Sequence, residues 1–151
     1  MKLAEALLTR GILQNKTNEL GVRLGNVALI QEGEEPAENP EKLLSELDST
    51  LKELETLVTR INITNASVTS SDGRSLTAML SERDSLRSRI SILRSFLDAA
   101  SATGRRARGS EIRIVSSVPV KELQKSLDEY SQALRQLEVR IQELNWTTEL
   151  M

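Results

Sequence analysis

The chain has 151 residues, a net charge of −2 and 38% hydrophobic residues, only 2% of the total being aromatic. That is the size of one domain with an aliphatic core, and it offers no general attraction to nucleic acid or to anionic membranes. It contains neither cysteine nor histidine, which excludes disulfides, zinc–thiolate sites and any Ser-His-Asp or Cys-His mechanism.

The first segment, about residues 2–30, places Leu3, Ala6, Leu13, Leu20, Leu24 and Val27 on one helical face. Arg10 and Thr17 interrupt that face. Gly11, Gly21 and Gly25 are expected to let a neighbouring helix approach closely. The start, Met1 to Leu8, reads as an amphipathic helix rather than a signal peptide. No run is apolar enough to span a bilayer, so the expected location is cytoplasmic.

Gln31 to Pro40 is acidic and carries two prolines and a glycine, which stop the first helix. Asn39 is placed to cap a second helix, 40–65, with Pro40 at its first position. Its seam is Leu44, Leu47, Leu51, Leu54, Val58 and Ile61, flanked by Leu43 and Leu57. A turn built on Asp72-Gly73 follows, since glycine accepts positive φ. Ser75 caps a third helix, 76–102, with Met79, Leu86, Ile90, Leu93 and Leu97 on its seam.

Residues 102–110 form a basic, glycine-flanked loop. Next, Glu111 to Val118 alternates apolar and polar residues, which predicts a short β-strand. A fourth helix, 119–145, carries the cleanest seam: Val120, Leu123, Leu127, Tyr130, Leu134, Leu137, Ile141 and Leu144. The spacing therefore predicts a mainly α fold of long antiparallel helices in a bundle or coiled coil, with one short strand or hairpin before the last helix. The helices share a heptad spacing, but no sequence repeat stands out.

An isolated strand leaves backbone donors and acceptors unpaired. A hairpin with residues 104–109 is one solution, but that stretch is arginine-rich and poor in β-formers; pairing with the same strand of another subunit is favoured, so Ile112, Ile114 and Val115, with the single tryptophan Trp146, form a candidate oligomer interface. The expected partner is thus a second copy of the chain, with no nucleic acid and no membrane.

Two clusters carry candidate chemistry. Glu32, Glu34, Glu35 and Glu38 offer oxygen ligands for a hard cation but lack the spacing of a calcium loop. Arg83 falls on the third seam and needs a carboxylate or carbonyl partner, with Asp48, Glu55 and the Glu32–Glu35 loop as candidates. Together with Arg87 it alternatively builds an anion pocket. The sequence identifies no cofactor and no catalytic residue. The leading reading is a non-enzymatic, homo-oligomeric scaffold or interaction module. The alternative is a ligand- or metal-binding protein whose pocket gathers Glu32, Glu34, Glu35, Asn62, Asn65, Arg83 and Arg87.

Five segments also carry a family resemblance: Gln31-Glu32-Gly33-Glu34-Glu35-Pro36, Arg60-Ile61-Asn62-x-Thr64-Asn65, Asp72-Gly73-Arg74-x-Leu76-Thr77, Arg83-Asp84-x-Leu86-Arg87 and Asn145-Trp146-Thr147-Thr148. As a set they resemble small helical bacterial proteins commonly labelled septicolysin. The resemblance implies a helical, oligomeric protein of uncharacterised activity. The label implies a cytolysin, which the missing export signal and missing membrane-length segment oppose.

Overall fold

The computed structural model describes residues 1–103 and 113–151. It contains four helices: α1 (Leu3–Asn26), α2 (Pro40–Ser67), α3 (Leu76–Ser101) and α4 (Val120–Thr147). The capping chemistry is as the sequence predicts. The Asn39 side chain accepts hydrogen bonds from the backbone N–H groups of Glu41 and Lys42, at 2.9 and 3.3 Å, and Pro40 opens α2. The Ser75 hydroxyl accepts from the Ala78 N–H. Gly73 sits at φ 81°, the left-handed conformation that the turn after α2 requires.

The helices pair as two antiparallel hairpins, α1 with α2 and α3 with α4. Leu20 and Val27, late in α1, pack with Leu43, early in α2. Ile90 and Leu97, late in α3, pack with Leu127, early in α4. These two clusters are separate. The hairpins share a core only at their common end, where Leu3, Ala6, Leu13, Leu57, Ile61, Leu76, Met79, Leu137, Ile141 and Leu150 form one cluster. Each 28-residue helix is about 42 Å long. A four-helix core thus holds one end, and two two-helix arms extend from it.

The common end reveals an internal repeat that the spacing alone hides. Aligning Pro40 with Val120 pairs Leu43 with Leu123, Leu47 with Leu127, Asp48 with Asp128 and Leu54 with Leu134. It continues through Leu57 and Leu137, Arg60 and Arg140, Ile61 and Ile141, and Asn65 and Asn145. Aligning Leu3 with Leu76 pairs Leu7 with Leu80, Arg10 with Arg83, Leu13 with Leu86, Leu20 with Leu93 and Leu24 with Leu97. The contacts obey the same exchange. The Leu3 N–H donates to the Thr148 carbonyl at 2.9 Å, and its counterpart, the Leu76 N–H, donates to the Val68 carbonyl at 2.9 Å. The antiparallel bridge between Lys2 and Glu149 likewise matches that between Thr69 and Ser75. The chain is a duplicated helical hairpin whose halves meet about an approximate two-fold relation.

Three expectations are corrected. Residues 113–118 form no strand, and among the described residues the only β pairings are those two isolated bridges. Here Ser116 turns its hydroxyl onto the Val118 backbone, donating to the carbonyl at 3.0 Å, and this local bond replaces a ladder. Glu111 and Ile112 lie outside the described residues. The first helix ends at Asn26, four residues short of the sequence boundary, and Ala28 to Gln31 form no helix. Finally, Gly11, Gly21 and Gly25 face open space, so they do not mediate close helix approach.

Candidate functional site

Arginines gather on one side of the second hairpin. A groove of about 560 Å³ between α3 and α4 is lined by Arg83, Arg87, Arg135, Glu138, Val139, Ile141 and Gln142. Arg83 and Arg87 are one helical turn apart on α3, so they share a face. Arg135, Glu138 and Gln142 are spaced at three and four on α4 and face them. Ile141 is buried and forms part of the floor, whereas Val139 is 67% exposed.

Two of the three guanidinium groups are held in place. Arg83 donates through Nε and Nη2 to Asp84 at 2.9 and 2.8 Å. Its partner is thus its own neighbour, not Asp48, Glu55 or the Glu32–Glu35 loop. Arg87 reaches across to α4, donating to Glu138 at 3.1 Å through Nε and 2.5 Å through Nη2. Arg135 makes no ion pair among the described residues. Three cations therefore line the groove against one lining carboxylate. Fixed guanidinium forks of this kind suit planar or tetrahedral oxyanions.

A groove of similar size on the first hairpin, about 500 Å³, is lined by Met1, Thr9, Ser49, Lys52, Glu53, Thr56, Leu57 and Arg60. Its charges are mixed and three of the lining residues carry hydroxyls, so no cluster of one sign forms there.

A second polar group closes the common end. Arg60 donates to the backbone carbonyls of Met151 at 2.7 Å and Leu150 at 3.5 Å. Its repeat counterpart Arg140 reaches Asp72 at 3.5 Å. Each hairpin thereby clasps the chain that leaves the other. Asp72 also accepts from Arg74 and from the Ser70 hydroxyl. These bonds, with that from Arg74 first, hold its carboxyl well below the ordinary carboxylate range. Lys2 and then the N-terminal ammonium likewise lower Glu149. Thr64 is fully buried; its hydroxyl donates to the Arg60 carbonyl at 2.8 Å and accepts from the Met151 N–H at 3.0 Å. These bonds are structural, joining termini and turns to helix ends. Sequence reasoning missed Arg135, Arg140 and Asp72 as partners because only the tertiary fold brings them to their neighbours.

The remaining candidates disperse. Glu32, Glu34 and Glu35 are exposed in the connection at the far end of the first hairpin. Asn62 and Asn65 lie near the opposite end of α2, roughly 30 Å along the helix. Arg83 and Arg87 belong to the second hairpin. Arg83 and Arg87 line one groove and Glu34 and Glu35 another, so the set does not converge in one pocket. Among the described residues no group of three or more Asp or Glu side chains gathers so as to hold a metal ion. Of the interface candidates, Ile114 is 48%, Val115 71% and Trp146 57% exposed.

A family described as a family of unknown function, DUF6847, matches residues 10–150. The chain belongs to that family. It is also similar, with 40% sequence identity and a TM-score of 0.93, to a crystal structure described as a functionally unknown conserved protein from Corynebacterium diphtheriae. The match covers 100% of this chain and 99% of that one. No protein of curated function matches. Neither relative carries the name septicolysin, and the DUF6847 match replaces that resemblance. The chain is a helical protein of a family of unknown function, and among its described residues no helix is long and apolar enough to cross a membrane.

Proposed function

We propose that the DUF6847 chain acts as a non-enzymatic scaffold or interaction module that associates with further copies of itself. One observation carries this reading. On α2, Leu44 is 50% and Leu51 41% exposed, although both follow the heptad and lie beside the buried seam of Leu43, Leu57 and Ile61. Val58, seven residues beyond Leu51, continues the flank half-buried. An apolar face wider than a single seam suits a helix with two packing partners, and along its arm α2 has only α1.

The corresponding positions of α4, Gln124, Ser131 and Glu138, are polar. The repeat therefore does not require apolar residues there, which supports a role outside the chain's own packing. Ile114, Val115 and Trp146 add further exposed apolar surface, now without strand pairing. The test is native mass by light scattering or sedimentation at micromolar concentration. An oligomer is expected, and Leu44→Glu with Leu51→Glu should shift it towards monomer while helicity is retained. A wild-type monomer would refute the reading.

A further inference from the structure

The two halves of the duplicated hairpin provide an internal comparison for the arginine groove. Arg83 corresponds to Arg10, so that position carries arginine in both repeats. A residue kept by both halves is accounted for by the shared packing. Arg87 corresponds to Gln14, and Arg135 corresponds to Glu55. The first hairpin folds with a neutral amide and a carboxylate at the places where the second carries two guanidinium groups. The hairpin architecture therefore does not require the extra cations. Arg87 is matched by Glu138 across the groove, but Arg135 has no ion pair among the described residues, and that added cation calls for a reason other than folding.

We propose that the groove formed by Arg83, Arg87, Arg135, Val139, Ile141 and Gln142 binds a small organic anion, an oxyanion head on an apolar body. Arg135 has no ion-pair partner among the described residues, and Arg87 is anchored by Glu138 at 2.5 Å. An arriving phosphate or carboxylate meets the unpaired guanidinium of Arg135 and the N–H donors that Arg83 and Arg87 do not spend on Asp84 and Glu138. Gln142 supplies an amide donor beside them. Val139 and Ile141 provide apolar wall for the body of the ligand. The volume of about 560 Å³ lies within the roughly 300–1,000 Å³ typical of small-molecule sites. Bare inorganic phosphate would leave most of it unfilled.

The test is titration calorimetry of the intact chain with phenyl phosphate, benzoate and inorganic phosphate at constant ionic strength. Amide chemical-shift mapping would be run in parallel. The decisive variant carries Arg87→Gln and Arg135→Glu, the residues that the first repeat uses at these positions and that the hairpin fold accommodates. Circular dichroism checks that it is folded, and the single variant Arg135→Gln serves if it is not. Binding of phenyl phosphate or benzoate with shifts confined to residues near 83–87 and 135–142, weakened at least tenfold in the variant, supports the site. Which of the two binds tighter assigns the head group as phosphate or carboxylate. Absence of binding at millimolar concentration, inorganic phosphate binding as tightly as both organic anions, equal affinity in the folded variant, or shifts located elsewhere would overturn it. Native mass plays no part in this readout, so the oligomer reading stands or falls separately.

Discussion

Arg10 and Arg83 show how two residues of one type in one repeat position come to differ. Arg83 is followed by Asp84, which accepts two of its hydrogen bonds. Arg10 is followed by Gly11, which offers no side-chain acceptor. The Arg10 Nε is buried and has no hydrogen-bond partner among the described residues. Leaving a buried donor unpaired costs on the order of 1–3 kcal/mol. Methionine keeps the apolar stem and removes the orphan donor. Arg10→Met is therefore expected to leave stability unchanged or raise it by up to about 1 kcal/mol, read from urea unfolding; a loss of more than that would show that the guanidinium has an acceptor. The other seam break is resolved locally, since the Thr17 hydroxyl donates to the Leu13 carbonyl one turn earlier at 2.9 Å.

At the level of elements, α1 carries glycines where its repeat partner α3 carries larger residues. Gly21 and Gly25 correspond to Arg94 and Asp98. Both lie in regular helix, and a Cβ added at either meets nothing within 4 Å. Each glycine then contributes only its backbone entropy, about 0.5–1 kcal/mol against alanine. Gly21→Ala and Gly25→Ala should each stabilise the chain by about that amount, measured by thermal or urea unfolding. Destabilisation would mean that these positions do support a close approach. Glycine in α1 read as a packing device from sequence because close approach is the commonest reason for small residues at helical spacing. The fold gives the glycines an outer face instead, since α1 has a single long neighbour. The alternating residues 113–118 form no strand for a related reason: alternation is a local pattern, whereas a strand exists only where a second chain segment supplies a ladder.

For the whole molecule, stability depends on the common end, where one core serves both hairpins and ionised groups close its rim. Asp72 is held ionised by Arg74, then Ser70, and faces Arg140 as well. Its folded-state value lies below the ordinary 3.8. Such a carboxylate contributes its full stabilisation above that ordinary value and loses it as the pH falls through the folded-state value. Glu149, lowered by Lys2 and the N-terminus, acts in the same sense from below 4.5. Unfolding free energy should therefore be flat near neutrality and fall as the pH drops below about 4. Asp72→Asn should be less stable at pH 7 and show a shallower acid decline, measured by urea midpoints between pH 3 and 7. An unchanged acid profile in the variant would remove Asp72 from the account.

Sequence by itself determined the helices, because capping and heptad spacing are local: Asn39 with Pro40, Ser75, Gly73 and the runs from Leu43 to Ile61 and Leu123 to Leu144 are legible in one pass. The repeat was also written there, in pairs such as Arg60 with Arg140 and Asn65 with Asn145. A shared heptad masks such pairs, since leucines match at any shift that preserves the period. Only the tertiary structure decided that the helices form two arms from one core rather than a full-length bundle. Helical spacing states that a face is apolar, but not which neighbour covers it or for how far. For the same reason it dispersed the glutamates and asparagines, which lie on different arms or at opposite ends of one helix. It brought Arg135 on α4 into the groove with Arg83 and Arg87 on α3, a meeting that no local pattern encodes.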